Sequence, residues 1–325
     1  MTLPRIGITI GDPGGVGPEI VLKAWSGDYQ LPAADYVLFS SGPVLTAEEK
    51  ALGVHFDFET SITGRAGLSG TLTLRELPSS LKSVTKGAPS AKNGRESFNY
   101  FKTAVAEARE GKLDAVVTAP ISKSSWALAG IPWKGHTDYL SQFYAGAIMA
   151  FWSEELKIAL LSHHVSLKAA LKKVRRESLL DFFISLHRSV KGARAGGFEF
   201  LVAGLNPHAG EDGLLGREEI EEVAPAIKEA RRQGLKVSGP YPPDVVFRRA
   251  LGRKDKMVIA LYHDQGLIPF KLAAFETGVN VSLGLPFVRT SPDHGTAFDI
   301  AGKNRADPRS LVEAIKLAAA FSRPA

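Results

Sequence analysis

LKIALLSHH at 156–164, FEFLVAGLNPH at 198–208 and KMVIALYHD at 256–264 decide the fold of this chain. Each is a short apolar run that stops at a histidine: His163 and His164, His208, and His263 with Asp264 beside it. Runs of this length, bounded by turn residues, read as buried parallel strands. In an open parallel sheet the carboxyl ends of the strands lie along one edge, and ligands bind in the crevice there. Three imidazoles distant in sequence are therefore expected near one point. Three protein ligands with open positions is how a catalytic divalent metal is held. The plainer alternative is that each histidine is a hydrogen-bonded loop residue just past its strand.

Outward from these runs, strand and helix patterns alternate to both ends. RIGITIG is a strand, followed by the tight turn Asp12-Pro13-Gly14-Gly15-Val16-Gly17 and a helix PEIVLKAW opened by Pro18. YVLFS and DAVVTAP are strands, and SFNYFKTAVAEAREG is an amphipathic helix stopped by Gly111. Residues 51–90 are poorly patterned, with a β-like piece TLTLREL. The spacing predicts one helix over most of ALKKVRRESLLDFFISLHRSVKG at 170–192, another over REEIEEVAPAIKEARRQG, and a last one in DPRSLVEAIKLAAAFS capped by Asp307. This βαβα order predicts an α/β protein: two αβα domains around a mainly parallel twisted sheet, with the active site in the cleft between them. The outer domain is expected at 1–128 plus 290–325 and the middle domain at 129–289.

Composition narrows the function. The chain has 325 residues, 44% hydrophobic and 23% charged, as expected of a soluble globular protein. It has no cysteine, which excludes disulfides, zinc–thiolate sites, iron–sulfur clusters and cysteine nucleophiles. MTLPRIGITIGDPGG does not read as a signal peptide, and no run is long enough to span a bilayer. A cytoplasmic protein with no membrane partner is expected. The net charge is +6, but the basic residues are spread over helix faces and loops, which argues against nucleic acid and suits an anionic substrate.

Three further stretches could carry chemistry. The glycine turn after the first strand could bring backbone amides to a ligand through Asp12 and Gly14, or could be a tight βα turn. Lys134-Gly135-His136-Thr137-Asp138 could grip an anion or cap a helix. Lys271, Asn280 and Arg289 lie among apolar runs where an amide is unfavoured; Arg and Lys there suit a phosphate or carboxylate.

GDPGGVGPE at 11–19, KGHTD at 134–138, GLNPHAGEDGLLGREE at 204–219, YPPD at 241–244, YHDQGLIPFK at 262–271 and GVNVSLGLPFVRTSPDHGTAFDIAGK at 278–303 together resemble the 4-hydroxythreonine-4-phosphate dehydrogenase family over essentially the whole chain. The last block also resembles the nucleotide-binding loop of isocitrate and isopropylmalate dehydrogenases, which implies an isopropylmalate dehydrogenase-like fold. The resemblance implies oxidation of the substrate 3-hydroxyl by NAD or NADP, then loss of CO₂ to give 3-amino-2-oxopropyl phosphate, a pyridoxal phosphate precursor. It implies a divalent metal on His164, His208 and His263, and a homodimer whose active site is shared between subunits. Substrate contacts are implied at His136, Thr137, Lys271, Asn280 and Arg289. The nucleotide site is implied near His294–Lys303, with His294, Gly295, Thr296 and Asp299 as its contacts. Where many members have Thr-Thr-His-hydrophobic-Pro-Leu, this chain reads Ser162-His163-His164-Val165-Ser166-Leu167; alignment favours His164 as the ligand.

In the mechanism that follows, the metal lowers the pKa of the substrate hydroxyl, and Asp244 or Asp264 moves a proton or orients a ligand histidine. Lys271 and Arg289 hold the anionic groups. Histidine ligation suits zinc, with cobalt, manganese, nickel and magnesium as the other candidates. The alternatives are a sister dehydrogenase for threonate or erythronate 4-phosphate or for an aromatic cis-dihydrodiol acid, and, more distantly, a metal-dependent hydrolase.

Overall fold

A computed structural model describes residues 3–26, 29–56, 70–144, 146–192 and 197–322. Most of the poorly patterned start of 51–90 lies outside these residues; TLTLREL lies within them and is a strand. The strands in chain order are β1 (Arg5–Thr9), β2 (Asp35–Ser40), β3 (Leu72–Glu76), β4 (Ala115–Thr118), β5 (Ile148–Trp152), β6 (Lys157–Leu160), β7 (Glu199–Ala203), β8 (Val237–Tyr241), β9 (Lys256–Ala260), β10 (Val279–Leu283) and β11 (Val288–Pro292). The chain divides into two compact units, Met1–Ala145 with Leu285–Ala325, and Gly146–Gly284.

In the first unit the order is β3-β2-β1-β4-β11, and every neighbouring pair is parallel. Ile6, Ile8, Val116 and Val117 are fully buried, as expected of strands covered on both faces. Two of the covering helices start at serine caps. Ser90 accepts from the Asn93 amide before Ala91–Arg109, and Ser122 accepts from the Ser125 amide before Lys123–Leu128.

In the second unit the order is β10-β5-β6-β9-β7-β8. β6, β9, β7 and β8 run parallel, whereas β5 pairs antiparallel with both β6 and β10. The three histidine-terminated runs are thus adjacent parallel strands, with β9 between β6 and β7. Their core is Met149, Phe151, Ile158, Leu160, Leu201, Val258 and Phe270.

The single helix expected over 170–192 is two: Leu167–Leu171 and Arg176–Gly192. The break has a tertiary cause. Glu222, from the segment Glu219–Val223, accepts from the Arg176 amide at 2.7 Å and from Arg175 Nη1 at 2.8 Å. A carboxylate so placed satisfies an otherwise orphaned amide at a helix start and opposes the dipole there.

Candidate active site

The carboxyl ends of β6, β9 and β7 are tied to one another by buried side chains. Ser162 Oγ donates to the Leu261 carbonyl at 2.8 Å, joining the end of β6 to that of β9. Gln265 accepts from the Leu261 amide and donates to the Gly204 carbonyl, both at 2.7 Å, joining β9 to β7. Glu219 is 3% exposed and accepts from the Leu205 amide at 2.6 Å and the Asn206 amide at 2.8 Å. It fixes the segment that leads to His208. Sequence reading missed these three side chains. The signal for Gln265 and Glu219 was a polar residue inside a long recognisable block; Ser162 gave none.

On this frame His164 and His263 come together, with ring centres 5.6 Å apart and planes tilted by 37°. Two imidazoles on one tetrahedral cation, with metal–nitrogen bonds of about 2.0–2.1 Å, have ring centres roughly 5 Å apart, so this pair has the spacing and chemistry that a divalent cation needs. Asp264 Oδ1 lies 2.7 Å from His263 Nδ1, and Glu211 Oε2 lies 2.7 Å from His208 Nδ1. A carboxylate on Nδ1 leaves Nε2 as the ligand nitrogen and orients the ring. His208 itself is exposed and sits in a left-handed turn, with positive φ from His208 through Asp212. Among the described residues no group of three or more His, Cys, Asp or Glu is arranged to hold a metal ion.

His163 stands edge-to-face against His164 at 5.3 Å. Its burial, followed by the charges of His164, Lys173 and His263, lowers its pKa to about 4. Asp244 is exposed in the first turn of helix Pro243–Ala250. The Lys271 ammonium lies 5.9 Å from the centre of the Phe275 ring. Asn280 faces Phe151 across the β10–β5 pair, and its Oδ1 is buried without a hydrogen-bond partner.

In the first unit, Arg289 is 3% exposed at the start of β11. Its Nη2 donates to Thr118 Oγ1 at 2.6 Å and lies 3.1 Å from His136 Nδ1. A guanidinium only donates, so His136 accepts at Nδ1 and carries its proton on Nε2. That Nε2 is buried with no partner. Burial, then the Arg289 charge, hold the His136 pKa well below its ordinary value. Burial likewise lowers Arg289 to about 10, which leaves it charged at neutral pH. The His136 ring packs 4.4 Å from that of Phe101 and 5.7 Å from that of Trp126. A fixed cation beside a neutral, dry N–H donor has the chemistry to hydrogen-bond an anionic group. Thr118, which adjoins this pair, was invisible in sequence because it ends the ordinary apolar strand AVVT.

The glycine turn meets the segment 294–303. Val16 donates its amide to the Thr296 carbonyl at 3.0 Å, and a Cβ on Gly15 would come within 2.8 Å of that oxygen. Asp12 is wholly buried and accepts from the Gly14 amide at 2.8 Å; burial raises its pKa. Lys86 reaches the Gly15 carbonyl at 3.3 Å and Glu48 at 2.6 Å. These glycines thus serve close packing of two loops. His294, Gly295 and Asp299 are exposed on the far loop, and open space surrounds Gly295.

The family model of the pyridoxal phosphate biosynthetic protein PdxA matches residues 33–318. A 4-hydroxythreonine-4-phosphate dehydrogenase from Desulforapulum autotrophicum is 39% identical over 97% of this chain and 95% of its own. A protein from Halalkalibacterium halodurans, provisionally named a D-threonate 4-phosphate dehydrogenase, is 38% identical over 98% of this chain and 97% of its own. The crystal structure of 4-hydroxythreonine-4-phosphate dehydrogenase from Klebsiella pneumoniae superposes with a TM-score of 0.86 at 35% identity, covering 99% of both chains. With matches of this length and identity, and with the same α/β architecture, the chain belongs to the PdxA family.

Proposed function

We propose that this chain is a 4-hydroxythreonine-4-phosphate dehydrogenase of pyridoxal phosphate biosynthesis. It oxidises the secondary alcohol at C3 and releases the carboxylate as CO₂, leaving 3-amino-2-oxopropyl phosphate. The observation that carries the reading is the buried Arg289–His136 pair, a built receptor for an anionic group in a chain with full-length similarity to such enzymes. Arg289 supplies the fixed charge and His136 Nε2–H the second donor. Thr137, Lys271 and Asn280 are the remaining substrate contacts. His294, Gly295, Thr296 and Asp299, along His294–Lys303, would hold NAD or NADP, which would supply the hydride acceptor for C3.

His164 and His263, with His208 as third ligand, are the residues for a divalent cation, which supplies the positive charge that lowers the pKa of the substrate hydroxyl. Zinc, cobalt, manganese, nickel and magnesium are the candidates. Asp264 orients His263, and Asp244 is left as the carboxylate for proton transfer. We also propose a homodimer with a shared site. Ile268, Leu272 and Phe275 leave an apolar stripe at helical spacing on and just beyond helix His263–Ala274, with Leu272 85% exposed, and such a stripe suits a second copy. Among the described residues no helix is long and apolar enough to cross a membrane, and a cytoplasmic location fits a nicotinamide-dependent biosynthetic step.

The second reading is oxidation of D-threonate 4-phosphate, favoured by the name of the Halalkalibacterium halodurans relative. The two substrates differ at C2, ammonium in one and hydroxyl in the other. The test is reduced-nicotinamide formation from each by purified protein, with chelator and with each metal restored. Chelator-sensitive turnover of 4-hydroxythreonine-4-phosphate is expected. Turnover of D-threonate 4-phosphate alone would move the substrate to the second reading.

A further inference from the structure

We propose that Thr118 is a positioning residue: through Arg289 it fixes the imidazole tautomer of His136, and with it the donor offered to the anionic end of the substrate. This rests on the reading that Arg289 and His136 bind the substrate. Arg289 lies opposite Val116 in the parallel pair of β11 with β4. Thr118 is two residues further along and is the last residue of β4. Residues i and i+2 of a strand share a face, so Arg289, Val116 and Thr118 share one. Two residues of strand advance about 6.6 Å. The arginine side chain therefore runs forward along this face to the carboxyl end of β4, where Thr118 Oγ1 accepts from Nη2 at 2.6 Å. Thr118 is wholly buried and Arg289 is 3% exposed, so the bond is made away from water.

A terminal guanidinium nitrogen carries two hydrogens in a rigid plane. With one on Thr118 Oγ1, the other is aimed at His136 Nδ1, 3.1 Å from the same nitrogen. The imidazole is held by its own neighbours: its ring centre is 4.4 Å from that of Phe101 and 5.7 Å from that of Trp126. Trp126 is fixed in turn by Nε1, which donates to Ser97 Oγ at 2.9 Å. The guanidinium must therefore be brought to the ring, and the hydroxyl at position 118 does so. An Nδ1 that accepts leaves the ring proton on Nε2, which is buried with no partner. Buried polar atoms in native proteins are nearly always satisfied, so this N–H is the group left for a ligand oxygen.

The test compares full-length wild type, Thr118→Val, Thr118→Ser and Arg289→Lys. Valine keeps the shape of threonine and removes the acceptor; serine keeps the oxygen. Long-range ¹H–¹⁵N spectra of the ligand-free proteins read the tautomer. Wild type and Thr118→Ser are expected to show His136 protonated at Nε2 and bare at Nδ1, and Thr118→Val to show an average of the two tautomers. With the phosphorylated substrate that the protein turns over, Thr118→Val is expected to raise KM about tenfold and to change kcat far less, whereas Thr118→Ser keeps KM near wild type. A packing role alone would lower stability without moving the tautomer, and the smaller serine would not rescue it. A wild-type His136 tautomer in Thr118→Val overturns the proposal. So does an unchanged KM in Thr118→Val where Arg289→Lys raises it. An unchanged KM in both variants overturns instead the reading that Arg289 binds the substrate. Should Thr118→Val fail to fold, the Arg289 guanidinium of wild type decides. Separate, slowly exchanging Nη signals support the anchor, and a single averaged signal overturns it.

Discussion

Arg289 and His136 work as one unit because each determines the state of the other. The guanidinium donates to Nδ1, which places the imidazole proton on Nε2 and keeps the ring neutral. Lysine could keep the charge at position 289 but not the planar fork that reaches Thr118 and His136 together. A charge-assisted hydrogen bond is worth about 1.5–3 kcal/mol, so Arg289→Lys is expected to raise KM for the phosphorylated substrate by roughly ten- to a hundredfold. Steady-state kinetics check this, and an unchanged KM removes Arg289 from substrate binding. The same pair sets a pH dependence. The folded pKa of His136 lies below its unfolded value of about 6.5. The unfolded chain therefore takes up the proton first, and stability is lost as pH falls from about 6.5 toward the folded pKa. Urea unfolding at pH 7.5 and 5.5 is expected to show a smaller pH-linked loss in His136→Gln than in wild type.

At the scale of elements, the strand ends are held in register by side chains as well as by the ladder. Gln265 satisfies one buried amide at the end of β9 and one carbonyl past the end of β7. Each buried backbone group left unpaired costs about 1–3 kcal/mol, so Gln265→Leu is expected to lose roughly 2–4 kcal/mol of stability. Urea denaturation measures it, and a loss under about 0.5 kcal/mol would mean that other groups take over both bonds. Glu222 acts similarly between helices, breaking a continuous helical pattern at Lys172–Arg175 by capping the next helix. Periodicity over 170–192 was legible in the sequence. The break was not, because its cause lies 46 residues away.

For the whole molecule, the exposed apolar stripe Ile268, Leu272 and Phe275 is the surface on which the proposed homodimer rests. Leu272→Glu puts a charge in its middle and is expected to shift sedimentation from dimer to monomer and to depress turnover with it. A variant that stays dimeric at micromolar concentration moves the interface elsewhere. The α/β class, the three histidine-ended parallel strands, the Asp307 carboxylate at the start of the last helix and the blocks that identify the family were all determined by the sequence itself. Those features follow from local periodicity, turn chemistry and residue type, which act over a few positions. Tertiary structure alone decided that β5 and β10 run antiparallel, that Gly15 and Val16 of the glycine turn pack against Thr296, and that Thr118 and His136 close around Arg289. It also brought the His263 ring to 5.6 Å from that of His164. Strand direction, burial and tautomer depend on neighbours far away in the chain, and those neighbours exist only once the sheets have formed.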